Sequence, residues 1–194
     1  MLATANQTFQ TILNTAEKLI QEKGCRQTTL QDIIRETGLS KGAIYHYVSS
    51  KDELFGLILK ARMELMNARF TDVVNRPQAP GLEDPLQLIA EGMQRTSNHQ
   101  DVTNLIFVYL LSQMDNPKVA EIVQHVYDYT LQTCSQWIEI GKMHGAIPSE
   151  VESRATAEML VMLMYGLRVQ NTIAQQPSRF TTQDLAAFMR KTLS

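Results

Sequence analysis

The stretch TLQDIIRETGLSKGAIYHYVSSKDEL, residues 29–54, decides how this chain is read. Thr29 and Asp32 stand at the spacing of a capping box, in which each side chain satisfies the other residue's backbone N–H at a helix start. Leu30, Ile33 and Ile34 follow on one side, and Gly38 stops the helix. Gly38-Leu39-Ser40 then forms a short turn in which glycine can take the left-handed conformation that an abrupt change of direction requires. Ser40 caps a second short helix, predicted to run to about Tyr47. Ser50 and Glu53 form another capping box at the head of a longer helix. Ile33, Ile34, Leu39 and Ile44 supply a small core that sets the two short helices at a steep angle. A preceding helix, predicted over 6–23, gives the third wall of a helix-turn-helix, whose second helix enters a DNA major groove by its first residues.

The side chains suit that use. Gly42 and Ala43 let a backbone approach a duplex closely. Lys41 and Lys51 sit at helix starts, where N–H groups and the helix dipole favour phosphate, and Thr28 and Thr29 sit at another. Tyr45, His46 and Tyr47 offer hydrogen bonds to phosphates and base edges, and rings for thymine methyls. Two short capped helices with a Gly turn also occur in ordinary helical packing, where Tyr45 and Tyr47 would be aromatics at the rim of a core.

Outward from this stretch the chain reads as helix throughout. Thr4 and Gln7 form a capping box ahead of Phe9, Ile12, Leu13, Ala16, Leu19 and Ile20, and Gly24 ends that helix. The helix from Lys51 runs to about residue 75 and stops at the Pro-rich linker 76–81. Asp84 with Pro85 starts the next, an apolar helix lies near 102–114, and Asn116-Pro117 opens one that ends between Gly141 and Gly145. Ser149 and Glu152 cap a long helix halted by Pro177, and Thr181 and Asp184 cap a last short one. No alternating β-branched run suggests a strand, so the expected fold is all-α with about nine helices.

With 194 residues, 44% of them hydrophobic, the chain can bury a real core. A formal net charge of −2 gives no general attraction for nucleic acid. Residues 1–66 carry eight basic against seven acidic residues and residues 67–194 ten against thirteen, which fits a small basic patch better than a basic domain. The first ten residues have neither the basic nor the apolar region of a secretion signal. No apolar run approaches the roughly 20 residues of a membrane span, so a cytoplasmic protein without a membrane partner is expected. Cys25 and Cys134 lie far apart and read as reduced thiols. His99, His125 and His144 share no ligand spacing, so neither a metal nor another cofactor is expected. No metalloprotease, phosphate-loop or nucleophile-elbow motif supports an enzyme. A helical ligand carrier with an idle N-terminal motif is the other rival.

In order and spacing, residues 29–54 resemble the signature of the TetR family of bacterial transcriptional regulators, roughly T-x-x-x-I-A-x-x-A-G-V-S-K-G-x-x-Y-x-Y-F-x-S-K-E-x-L. Ile34 and Thr37 stand where the family has Ala, and Val48 where Phe is common; all are packing positions. The resemblance implies DNA contacts from Thr28, Thr29, Ser40, Lys41, Gly42, Ala43, Tyr45, His46, Tyr47 and Lys51. It also implies a division into a DNA-binding domain, 1–50, and an effector-binding and dimerisation domain, 51–194. The expected function is repression: a homodimer on palindromic double-stranded operator DNA, released by a small molecule. Two reading heads about 34 Å apart match one turn of DNA, and the helix from Lys51 is the expected lever between the domains.

A dimer surface is expected on the last two helices, at Met159, Leu163, Gly166, Leu167, Leu185, Phe188 and Met189, as in the family's four-helix bundle. The same stripe would also serve as intramolecular core. Met93, Phe107, Tyr109, Tyr127, Trp137, Met162 and Tyr165 combine adaptable thioethers with amphipathic rings. They suit a pocket for a hydrophobic or aromatic effector, although each would equally serve as core.

Overall fold

The computed structural model describes residues 2–76, 82–175 and 179–194, with side chains from residue 7 onward. Among these residues nine α-helices follow one another without a strand. They are α1 (Leu2–Gln27), α2 (Leu30–Thr37), α3 (Lys41–Tyr45), α4 (Lys51–Val74), α5 (Glu83–Ser97), α6 (Val102–Leu111), α7 (Pro117–Met143), α8 (Ser153–Ala174) and α9 (Thr182–Thr192). Residues 77–81 of the expected linker at 76–81, and the stop at Pro177, lie outside the described residues.

The strongest local signals form as expected. Thr29 Oγ1 accepts the Asp32 N–H at 3.1 Å, and the Asp32 carboxylate accepts the Thr29 N–H at 3.1 Å. Thr181 and Asp184 make the same reciprocal pair at the head of α9. At α4 the box is offset by one residue. Glu53 N–H donates to Ser50 Oγ, but the Glu53 carboxylate accepts from the N–H and hydroxyl of Ser49.

Other boundaries moved. α1 begins at Leu2, ahead of the expected Thr4 cap, whose side chain lies outside those described, and it kinks at Gly24 (φ 80°) before running on to Gln27. α5 begins at Glu83 with no side-chain cap, which places Asp84 and Pro85 inside the first turn. Proline is tolerated there because first-turn N–H groups have no intrahelical acceptor. α8 is capped by Glu152 itself, whose carboxylate takes the N–H groups of Arg154 and Ala155 at 3.2 and 2.6 Å. A carboxylate placed directly at the N-cap displaces Ser149 from the expected role.

The chain packs as two units, and the packing does not part at residue 50. One unit combines 1–59 with 100–125, and the other combines 60–99 with 126–194. In the first, α1 packs on both α2 and α6. Ile12, Ala16, Ile20, Ile33, Ile44, Leu54, Phe55 and Ile106 are fully buried there. In the second, α5 packs on α8 and α9. Its core joins Leu86, Ala90 and Met93 to Leu131, Ile138, Val161, Leu167, Leu185 and Met189. Each of the larger side chains, the Leu, Ile, Val, Phe and Met, stabilises the fold by about 1.5–3 kcal/mol relative to exposure. No described helix is long and apolar enough to cross a membrane.

The cap of α2 carries a pH signature. The Lys23 ammonium at 2.6 Å and the Thr29 hydroxyl hold the Asp32 carboxyl well below the usual carboxylate range. A depressed folded-state pKa gives stability that is present above the unfolded value of about 3.9 and lost as pH falls below it. Asp32→Ala is therefore expected to cost about 1 kcal/mol at pH 7. In urea denaturation, its deficit against the wild type should narrow steadily below pH ~4. A deficit that stays constant down to pH ~2 would show that the carboxylate charge does not hold the cap.

Candidate nucleic-acid interface

The turn between α2 and α3 is built by local hydrogen bonds. Gly38 lies in the left-handed region (φ 69°), and its N–H reaches Ile34 O at 3.1 Å. Thr37 Oγ1 donates to Ile33 O at 2.7 Å and accepts from Leu39 N–H at 3.3 Å. Ser40 caps α3 by accepting the Ala43 N–H at 3.2 Å. Ile44 is fully buried beneath α3, so Lys41, Gly42, Tyr45 and His46 turn to solvent with Ala43 half-buried. Ser40, at the cap, is exposed as well.

The outward side chains are partly organised. The Lys41 ammonium stands 5.5 Å from the centroid of the Tyr45 ring, which remains 47% exposed. His46 meets Tyr47 edge-on at 5.3 Å. Tyr47 is half-buried and stacks on Phe9 at 5.3 Å, so its ring also braces α3 against α1. A Cβ added at Gly42 would find only Ser40 Oγ, at 4.0 Å. No neighbouring atom within the chain therefore demands a glycine there.

Thr28, Lys51 and Thr29, also expected to contact DNA, are engaged within the chain. Thr28 is 0% exposed, and its hydroxyl donates to Gly24 O at 2.9 Å, so it presents no surface to a phosphate. Lys51 does not grip outward either. Its Nζ donates to the carbonyl oxygens of Cys25, Arg26 and Thr28 at 3.1, 3.1 and 3.2 Å. The sequence places Lys51 at a helix start, but the carbonyls at the end of α1 reach it first. Thr29 is exposed, with its hydroxyl on Asp32 at 2.7 Å.

The residues expected to line an effector pocket are divided between the two units. Phe107 and Tyr109 belong to the first unit, and Met93, Tyr127, Trp137 and Tyr165 to the second. Tyr109 donates its hydroxyl to Asp52. Met93 is buried in the second core, and Met162 is 64% exposed. Within the second unit Trp137 stacks on Phe70 at 4.9 Å and donates Nε1–H to Asn67 Oδ1 at 2.7 Å. Tyr127 meets Tyr165 at 6.4 Å, and the buried Arg168 guanidinium lies 5.8 Å from the Tyr165 ring.

The expected dimer residues also divide. Leu167, Leu185 and Met189 are buried in the core of their own unit. Met159, Gly166 and Phe188 are exposed, and Leu163 is half-buried. The exposed side of α8 continues through Met162, Val169 and Ile173, the last 78% exposed. Val169 and Ile173 extend the same three- and four-residue spacing from Met159.

Burial pushes the Cys25 thiol up to about 11, against the lowering influence of Lys51, and the Cys134 thiol up to about 12. Both are therefore held as neutral thiols. No cluster of three His, Cys, Asp or Glu suited to a metal occurs among the described residues.

The N-terminal helices match a known family. Residues 12–58 fit the model described as bacterial regulatory proteins, tetR family. The transcriptional regulator UidR of Escherichia coli K12 is 23% identical over 167 residues, covering 86% of this chain and 83% of that protein. The transcriptional repressor KstR2 of Mycobacterium tuberculosis is 32% identical over 69 residues, 36% of this chain and 34% of that one. A regulator from Saccharomonospora viridis, solved in complex with choline, shares the fold with a TM-score of 0.62 at 20% identity, covering 96% of this chain and 95% of that chain. The match falls on the same α1–α4 region that builds the turn and the outward face of α3, and over these residues the chain is similar to the TetR family of bacterial regulatory proteins.

Proposed function

We propose that this chain is a cytoplasmic repressor that binds palindromic operator DNA as a homodimer and is released by a small-molecule effector. The observation that carries this reading is the outward face of α3. Ser40, Lys41, Gly42, Ala43, Tyr45 and His46 lie on it, held from below by the buried Ile44. Lys41 supplies a cation for phosphate, Gly42 a close approach, and Tyr45 and His46 hydrogen bonds for phosphates or base edges. Thr29 and Tyr47 stand at the margin of this surface, whereas Thr28 and Lys51 support it from inside.

A second copy is needed to read a palindrome. Met159, Met162, Gly166, Val169 and Ile173 form a continuous apolar face on α8, with Phe188 exposed on α9. A contiguous exposed apolar surface marks a binding face, and its position on the last two helices supports a bundle made with the same helices of a partner. The effector belongs in this reading to the second unit, where Tyr127, Trp137 and Tyr165 offer rings with polar tips. Choline bound to the Saccharomonospora viridis regulator supports a small ligand on this fold. Functionally the chain then divides into a reading head, 1–50, and an effector and dimer region, 51–194. α4 contributes residues to both packing units, which suits it to carry the signal. Switching an operator from almost full to almost empty needs an effector preference of about 5.5 kcal/mol between the two states.

The direct test is salt-dependent binding to the DNA upstream of the chain's own gene. Protection of a palindrome and a steep loss of affinity with salt are expected. Binding no better than to random DNA at moderate salt would refute the reading. Lys41→Ala should weaken binding and reduce the salt slope by about one, with an unchanged melting temperature. Lys51→Ala should behave oppositely. It removes a charged donor from three carbonyls and should lower stability by about 1.5–3 kcal/mol, with the salt slope kept. For the dimer, a Cβ built at Gly166 meets nothing within 4 Å in its own chain. Gly166→Trp should therefore fold but sediment as a monomer with weak operator binding. A Gly166→Trp protein that remains dimeric would remove this face of α8 from the interface.

A further inference from the structure

We infer that Tyr109 is a positioning residue for the DNA-reading helices, acting through Asp52 and Lys51 on the end of α1. The inference rests on the regulator reading above and assigns one side chain outside the reading head a part in presenting it. Tyr109 stands near the end of α6, which packs on α1. Its hydroxyl donates to Asp52 Oδ1 at 3.0 Å, and its ring meets Phe55 edge-on at 5.6 Å. The Lys51 ammonium lies 5.2 Å from the centroid of the same ring. One tyrosine thus engages three residues in the first five positions of α4 by three different kinds of contact.

Lys51 carries that contact onward. An ammonium has three N–H donors and no acceptor, and Lys51 directs its Nζ to three carbonyls, those of Cys25, Arg26 and Thr28. These carbonyls follow the kink at Gly24 and directly precede Thr29, the cap of α2. Thr28 is itself pinned, its N–H and hydroxyl both donating to Gly24 O at 3.2 and 2.9 Å. The pose of the segment that starts α2, and with it the turn to α3, therefore depends on where α4 holds Lys51. Tyr109 holds that part of α4 from the side. Filling of space alone would be served as well by phenylalanine, since the ring contacts with Phe55 and Lys51 need no hydroxyl. The directional bond to the Asp52 carboxylate is what the tyrosine adds, and a hydrogen bond to a charged acceptor is among the stronger ones.

Tyr109→Phe isolates this bond, since it keeps the ring and its packing. The DNA probe is a duplex recovered from a random-sequence pool by the wild-type protein. Tyr109→Phe should bind it about three- to tenfold more weakly, with the salt slope of the wild type because no phosphate contact is lost. Asp52→Ala should show a similar loss, and the double variant should bind no worse than the weaker single variant, as expected for two ends of one bond. A second measurement needs no DNA. In amide hydrogen exchange of the free protein, residues 25–47 should exchange faster in Tyr109→Phe, while residues 153–174 keep wild-type protection. Wild-type exchange over 25–47, faster exchange with unchanged affinity, or a uniform loss of protection with additive binding losses would each overturn the inference. Should the wild type recover no duplex at all, the regulator reading falls. The exchange comparison then decides by itself whether Tyr109 positions these helices.

Discussion

A helix that ends inside a protein leaves its last carbonyl oxygens without intrahelical donors, and the end of α1 is where that constraint weighs most. The Gly24 kink lets the chain turn toward α2, but it sets the carbonyls of Cys25, Arg26 and Thr28 in one small region. Water could serve an exposed end. Here Cys25 and Thr28 are buried, so a protein donor is required. Lys51 provides it from α4, and a positive charge there also complements the negative end of the α1 dipole. The start of α2 follows directly on a junction that this one ammonium closes.

The short recognition helix shows why such a junction is needed. α3 has only five residues, too few for a helix to persist by its own hydrogen bonds. It is held instead by the Ser40 cap, by burial of Ile44 and by Tyr47 stacked on Phe9. Burial and capping place the backbone, which leaves Lys41, Tyr45 and His46 exposed on it. α8 solves a different problem with the same chemistry. Val161 and Leu167 seal its own core, while Met159, Met162 and Ile173 present a second apolar face to solvent.

Much of this could be read from the residues. Helix caps are contacts between residues three apart, so Thr29 with Asp32 and Thr181 with Asp184 announce their helices whatever surrounds them. The Gly38 turn is equally local, because its φ of 69° excludes most other residues. Local rules failed where two candidates competed. Glu152 stands closer to α8 than Ser149 and caps it alone, and α5 starts without any side-chain cap, so nothing in its sequence marks Glu83. The α2–α3 surface was legible for Lys41, Gly42, Tyr45 and His46 because a helix with Ile44 inward must turn these residues outward.

By itself, then, the sequence determined the all-helical character, the helix-turn-helix and the outward face of α3, all consequences of spacing along the chain. Periodicity says which residues share a face; it does not say what covers that face. Only the tertiary structure decided that Leu167, Leu185 and Met189 close their own core while Met159 and Ile173 stay exposed. It alone turned Thr28 inward, gave Lys51 three carbonyls instead of open solvent, and brought Tyr109 to Asp52 across 57 residues of chain. Such contacts depend on how distant segments are folded together, and no rule of neighbouring residues encodes them.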